Sequence, residues 1–318
     1  MMLPKSLFRG CVAICLLAIF AMAAPSSQGT LETYVPLYKT LPPTPELPPS
    51  ANFQGTVAIN GINLWYAHFG PSLQCGRLPV LFLHGGKSCS RWWGEQIDYV
   101  SRLGHPVIAI DTRAHGRSSD DIRVPLSYDL FADDVSALMI HLELPRAGLV
   151  GWSDGANTAL SMAMRYSKQV DRLLAFGANY NPDQVNATGV EGIPFLSDLA
   201  ARMKRDYISL SPTPGNFATF SARVDTMQSQ YPTWSSKDFA RIPTSYQDAS
   251  HAPITWMVDG DSEEVVVRRV PGEIRDMVWG SSLVTLPDVS HFAPVQDPET
   301  FNAVIGRWLS RRSNSRRS

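Results

Sequence analysis

Six short runs in this 318-residue chain are predominantly apolar where a half-buried strand would alternate, and no other feature narrows the fold as much. They are Leu78–Leu83, Val107–Ile110, Gly148–Gly151, Val170–Phe176, Ile254–Val258 and Leu283–Leu286. A strand that is apolar on both faces must be covered on both, as it is inside a mostly parallel sheet with helices on each side. Trp92–Leu103, Tyr128–Leu142, Ala156–Tyr166 and Pro298–Ser310 lie between or after the runs and repeat their apolar residues at helical spacing. This alternation predicts an α/β fold. Residues 55–60 and 62–69 meet at Asn60-Gly61, a hairpin signal that adds antiparallel strands at one edge.

The rhythm breaks between Tyr180 and Ala252, where β-rich runs give way to six prolines and helical patches at 193–207 and 216–231. A structureless connection of that length is uncommon in a packed domain, so the segment predicts an inserted helical cap. The resulting division is 53–179 and 253–310 for the two parts of the core, with 180–252 as the cap. Residues 24–52, rich in proline, read as an extended lead-in. The basic end, 311–318, reads as a disordered tail.

Gly151-Trp152-Ser153-Asp154-Gly155 fits G-x-S-x-G and falls between a buried strand and a helical segment. That context is what a nucleophile on a sharp strand-to-helix turn requires. A serine hydroxyl needs a neighbouring base, and His291, in the stretch after the last strand, is the candidate. Loops at the carboxyl ends of parallel strands converge on one rim, which brings the two residues together. His68, His105, His115, His141 and His251 fall on the hairpin, helices or turns, with a structural role expected for His115. The imidazole in turn needs a carboxylate, which in the order nucleophile, acid, histidine should follow the Ile254–Val258 strand. Asp259, Asp261, Glu263 and Glu264 all stand there. Donors for a developing oxyanion are expected from the backbone N–H groups of Gly86, in His84-Gly85-Gly86, and of Asp154.

Taken together, LFLHGG, DTRAHGRS, VGWSDGAN, VDGDSEEVV and SHFAPVQDPETFN resemble the α/β-hydrolase superfamily, most of all its small esterase-like serine hydrolases with a helical cap. The resemblance runs from about Gly55 to Leu309. It implies an α/β-hydrolase fold, Ser153 as nucleophile, His291 as base, and Gly86 with Asp154 as the oxyanion hole. The acid position usually holding aspartate is Glu263 here, with Asp261 as second choice. The implied reaction is hydrolysis of a small carboxylic ester through an acyl-enzyme. Perhydrolase, lyase or carbon–carbon hydrolase chemistry is the alternative on the same fold. A non-catalytic binding protein is a third reading, which loss of a triad member would favour. Trp92, Trp93 and Phe292 are expected to line the substrate pocket, and Trp152 to pack in the core. Met203, Tyr207, Phe217, Phe220 and Met227 are cap residues that either close over an acyl chain or pack among themselves.

Nothing in the sequence calls for a metal, a nucleotide or a flavin. A net charge of −1 leaves no electrostatic footprint for nucleic acid. Lys5 and Arg9 precede an apolar run, Cys11–Ala21, and Ala21-Met22-Ala23 offers a cleavage site, so 1–23 reads as a secretory signal peptide. The run is too short for a spanning helix of roughly 20 apolar residues. A secreted protein is therefore expected, with no membrane span after cleavage. Cys75 and Cys89 would then remain, either as a disulfide or as two free thiols. Asn186-Ala187-Thr188 is a glycosylation sequon.

Overall fold

Leu81 and Leu83 turn to one side of their strand while Val80 and Phe82 turn to the other, and all four are buried. The same two-sided burial recurs along the other central strands, as the apolar runs require. The computed structural model describes residues 34–245, 247–248 and 251–311, and from Val35 onward they form one compact unit. Its strands are β1 (Phe53–Ile59), β2 (Ile62–Phe69), β3 (Val80–Leu83), β4 (Val107–Asp111), β5 (Ala147–Trp152), β6 (Val170–Phe176), β7 (Ile254–Gly260) and β8 (Ser282–Leu286). They form one eight-stranded sheet in the order β1-β2-β4-β3-β5-β6-β7-β8. β1 and β2 pair antiparallel, β2 meets β4 antiparallel, and every later pairing is parallel.

The α-helices of the described residues are α1 (Gly94–Arg102), α2 (Tyr128–His141), α3 (Asp154–Arg165), α4 (Ala187–Glu191), α5 (Leu196–Leu210), α6 (Phe217–Gln230), α7 (Ser236–Phe239), α8 (Val270–Met277), α9 (Ala293–Gln296) and α10 (Pro298–Ser310). α2, α3 and α8 cover the face that carries Leu81 and Leu83. α1 and α10 cover the other, where Ile97, Val100, Phe301 and Trp308 are buried. Side-chain caps set several of the helix starts. Ser127 accepts Leu130 N–H ahead of α2, and Asp297 accepts Thr300 N–H ahead of α10, with Pro298 at its first position.

Helices α4–α7 lie between β6 and β7, and α4, α5 and α6 wall the cavity at the carboxyl end of the sheet, whereas Phe239 of α7 is buried in the main core. α8 is absent from the sequence reading, because Pro271 and Gly272 in its first turn hide a helix whose Val270 and Ile274 are buried. Trp92 and Trp93 belong to a tight turn, Ser90–Trp93, just before α1.

Residues 34–52 do more than lead into the domain. Arg202 on α5 donates to the carbonyls of Leu41 and Pro42, Gln296 donates to Thr40 O at 3.0 Å, and Tyr38 N–H reaches Asp288 O at 3.0 Å. Leu37, Leu41 and Leu47 pack on the core. The proline-rich stretch is a strap laid over the domain.

Cys75 and Cys89 are both free, which sets aside the disulfide. The first is exposed between β2 and β3, while the second is buried beside the turn that precedes α1. The sequon residue Asn186 is exposed, and its side chain accepts Gly189 N–H at 3.1 Å to start α4. Among the described residues no helix is long and apolar enough to cross a membrane. The expected signal peptide, 1–23, and the tail from 312 lie outside the described residues.

Candidate active site

Ser153 stands between the last residue of β5 and the first of α3 with φ 55° and ψ −119°. A left-handed backbone at a residue with a side chain is strained, and it persists only where its surroundings enforce it. Here the enforcement is crowding. A Cβ on Gly151 would strike the Gly155 carbonyl, and one on Gly155 would strike the carbonyl of Leu83. Ser153 N–H donates to Phe176 O at 2.8 Å, which ties the bend to the end of β6.

His291 follows β8 and is buried. Its imidazole lies over that same end of β6: a Cβ on Gly177 would come within 2.6 Å of its Cε1. Trp152 holds the loop in place by donating from Nε1 to His291 O at 2.7 Å. The four carboxylates left open by the sequence now separate. Glu263 lies 2.9 Å (Oε1) and 3.0 Å (Oε2) from Nδ1 of His291, and its Oε1 also accepts the N–H groups of Val265 and Val266, each at 2.8 Å. Glu264 accepts the His291 backbone N–H at 3.2 Å. Asp261 accepts the neighbouring Ser262 hydroxyl at 3.1 Å. Asp259 is buried at the end of β7.

The charges follow from these partners. Burial pushes against ionisation of Glu263, but the His291 charge and hydrogen bonds outweigh it and hold the carboxyl below its ordinary value. Burial alone would lower His291. Glu263, then Glu264 and Asp154, reverse that and raise it. His115, by contrast, is pushed down to about 3 by burial, and its Nδ1 is satisfied by Arg113 O at 2.9 Å. The structural role expected of it fits this placement.

Ser153, His291, Gly86 and Asp154 line one cavity of about 420 Å³. Asp154 N–H, in the first turn of α3, has no acceptor within the helix. The Asp154 carboxylate also faces this space, accepting Tyr128 Oη at 2.8 Å and Gln228 Nε2 at 3.0 Å, while burial raises it. The turn bearing Gly86 is set by His84. Its Nδ1 donates to Gly85 O at 2.8 Å, so its Nε2 is the acceptor for Thr112 N–H at 3.0 Å. Sequence reasoning missed the supporting roles of His84, Tyr128 and Gln228, and named Glu264 only as a candidate acid. HisGlyGly was read for its glycines, and Tyr128 and Gln228 are marked by no motif.

The aromatic expectations divide. Phe292 lines the cavity. Trp92 and Trp93 do not, being 1% and 0% exposed. Trp92 donates to Asp206 on α5 at 3.0 Å and packs on Trp152, and Trp93 is wedged among Phe82, Phe301 and Trp152. They support the floor from below, because the turn before α1 points them into the sheet. Trp152 is buried, as expected, and also borders the cavity. Of the cap residues, Met203 lines the wall with Leu196 and Leu199, whereas Tyr207, Phe220 and Met227, with Phe217 against them, pack onto Ala114, Leu126, Tyr128 and Phe131 outside the cap. Among the described residues no group of three His, Cys, Asp or Glu converges as metal ligands.

Residues 80–304 match the model of the alpha/beta hydrolase family. The chain is 35% identical over 251 residues to an abhydrolase domain-containing protein of Schizosaccharomyces pombe, covering 73% of this chain and 92% of that protein. It is 27% identical over 261 residues to the human serine hydrolase BPHL, covering 80% and 85%. Among solved structures, a meta-cleavage product hydrolase (CumD) from Pseudomonas fluorescens IP01 superposes with a TM-score of 0.64 at 20% identity, covering 81% of this chain and 97% of its own.

Proposed function

The chain belongs to the alpha/beta hydrolase family, and from that premise we propose that it is a serine hydrolase that cleaves carboxylic esters through an acyl-enzyme. One observation carries the reading. The hydroxyl on the strained bend, the Glu263-bound imidazole and two backbone donors open onto the same cavity.

Because Nδ1 of His291 is bound to Glu263, Nε2 is the nitrogen left to accept the Ser153 proton. The freed Oγ attacks the ester carbonyl, and the N–H groups of Gly86 and Asp154 receive the oxyanion. Collapse expels the alcohol, which takes the proton from His291. Water then attacks the acyl-enzyme by the same proton path, releasing acid and restoring Ser153. A cavity of about 420 Å³ with Leu196, Leu199, Met203 and Phe292 on its walls suits a small apolar acyl group.

A fluorophosphonate probe is expected to label Ser153, and p-nitrophenyl esters of graded chain length are expected to be hydrolysed. Absence of labelling together with inertness towards every ester would defeat the proposal. The same groups would serve carbon–carbon hydrolysis, the alternative chemistry on this fold, and product analysis separates the two. His291 must be neutral to act as a base, and its pKa is raised above 6.5. Activity is therefore expected to fall as pH drops, with the acid limb of kcat/KM centred above 6.5. A limb centred below that value would contradict the ion pair.

A further inference from the structure

Asp259 has no part in the mechanism above, yet it is 5% exposed and four residues from Glu263, with its Oδ1 buried and receiving no N–H or O–H. The two residues flank a tight turn, closed by Glu263 N–H donating to Gly260 O at 3.3 Å, and both are buried. Two buried carboxylates held so close oppose each other's ionisation, which favours one proton shared between them. The surroundings decide where it resides. Glu263 faces the imidazole and two backbone N–H groups. Asp259 has the Gly260 N–H and the weaker influence of Arg268.

We propose that Asp259 stays protonated in the folded protein and donates a hydrogen bond to Glu263, acting as a positioning residue that keeps that carboxylate ionised and aimed at His291. Burial, and then the charge of Glu263, raise Asp259 well above the ordinary carboxyl range, while its hydrogen bond helps to lower Glu263. The arrangement divides labour among three neighbouring acids. Glu263 carries the charge, Asp259 supplies a proton to it, and Glu264 holds the His291 backbone. The inference rests on the reading of Glu263 and His291 as the working pair.

The test is an NMR pH titration of the His291 imidazole in the substrate-free wild type, Asp259→Asn and Asp259→Val. The groups facing His291 are Glu263, Glu264 and Asp154, and those facing Asp259 are Glu263 and Arg268; all are retained in both variants. Asparagine keeps a neutral N–H donor, so the His291 pKa is expected to move by less than about 0.3 units. Valine removes the donor and leaves Glu263 more basic, which should raise the His291 pKa by about 0.5–1 unit and lower kcat about tenfold with KM nearly unchanged. If Asp259 were ionised, Asp259→Asn would delete a negative charge and drop the His291 pKa by about a unit. That drop, or a valine variant with unchanged titration, overturns the proposal. Should the valine variant fail to fold, the asparagine titration alone decides between the two charge states. The titrations need no turnover, so failure of the ester assay would refute the proposed function without moving the His291 result.

Discussion

Replacement of Ser153 by alanine will cut turnover of any ester this protein hydrolyses by about 10⁴-fold or more. Alanine keeps the Cβ, so the strain at φ 55° and the bond from residue 153 N–H to Phe176 O both remain. What disappears is the hydroxyl that Ser153 presents to the cavity. Thermal melting should therefore stay within a few degrees of the parent while kcat/KM collapses, and the comparison needs only the p-nitrophenyl assay and a melting curve. A variant retaining a tenth of the activity would show that water is activated elsewhere in the cavity.

The second large effect concerns the acid. Glu263→Gln is expected to cost about 10⁴-fold in kcat, and Asp261→Asn less than about twofold. The reason is directional. Val265 and Val266 N–H groups both converge on Oε1, so the glutamine carbonyl must take that place and its amide must turn to the other. The amide would then donate to Nδ1 of His291, force the proton onto Nε2, and leave the imidazole unable to accept from Ser153. Asp261 makes its bond to Ser262 and none to the imidazole. Equal losses in the two variants, or a greater loss in Asp261→Asn, would reassign the acid.

The sheet was legible because burial on both faces leaves few polar positions in a strand, and β3 and β5 have no charged residue at all. The bend at Ser153 was legible for a similar reason, since crowding at Gly151 and Gly155 excludes other residues. The acid was not separable from its neighbours by chemistry alone. Asp259, Asp261, Glu263 and Glu264 are interchangeable as letters, and only the path of the backbone after β7 shows which carboxyl meets the imidazole. Trp92 and Trp93 mislead in the same way: they follow the turn that bears Gly86, but the tight turn before α1 rotates them beneath the floor. α8 was hidden by Pro271 and Gly272, and the free state of Cys75 and Cys89 depends on where the folded chain puts them.

The strap formed by residues 34–52 is anchored at two kinds of place. Arg202 fastens it to α5, and Gln296 fastens it to the loop before the base, donating to Thr40 O while gripping the Ser290 backbone and hydroxyl. A single tether thus registers the α5 wall of the cavity against the loop that carries His291. In a hydrolase that works as proposed, slack introduced there would reach recognition and chemistry at once.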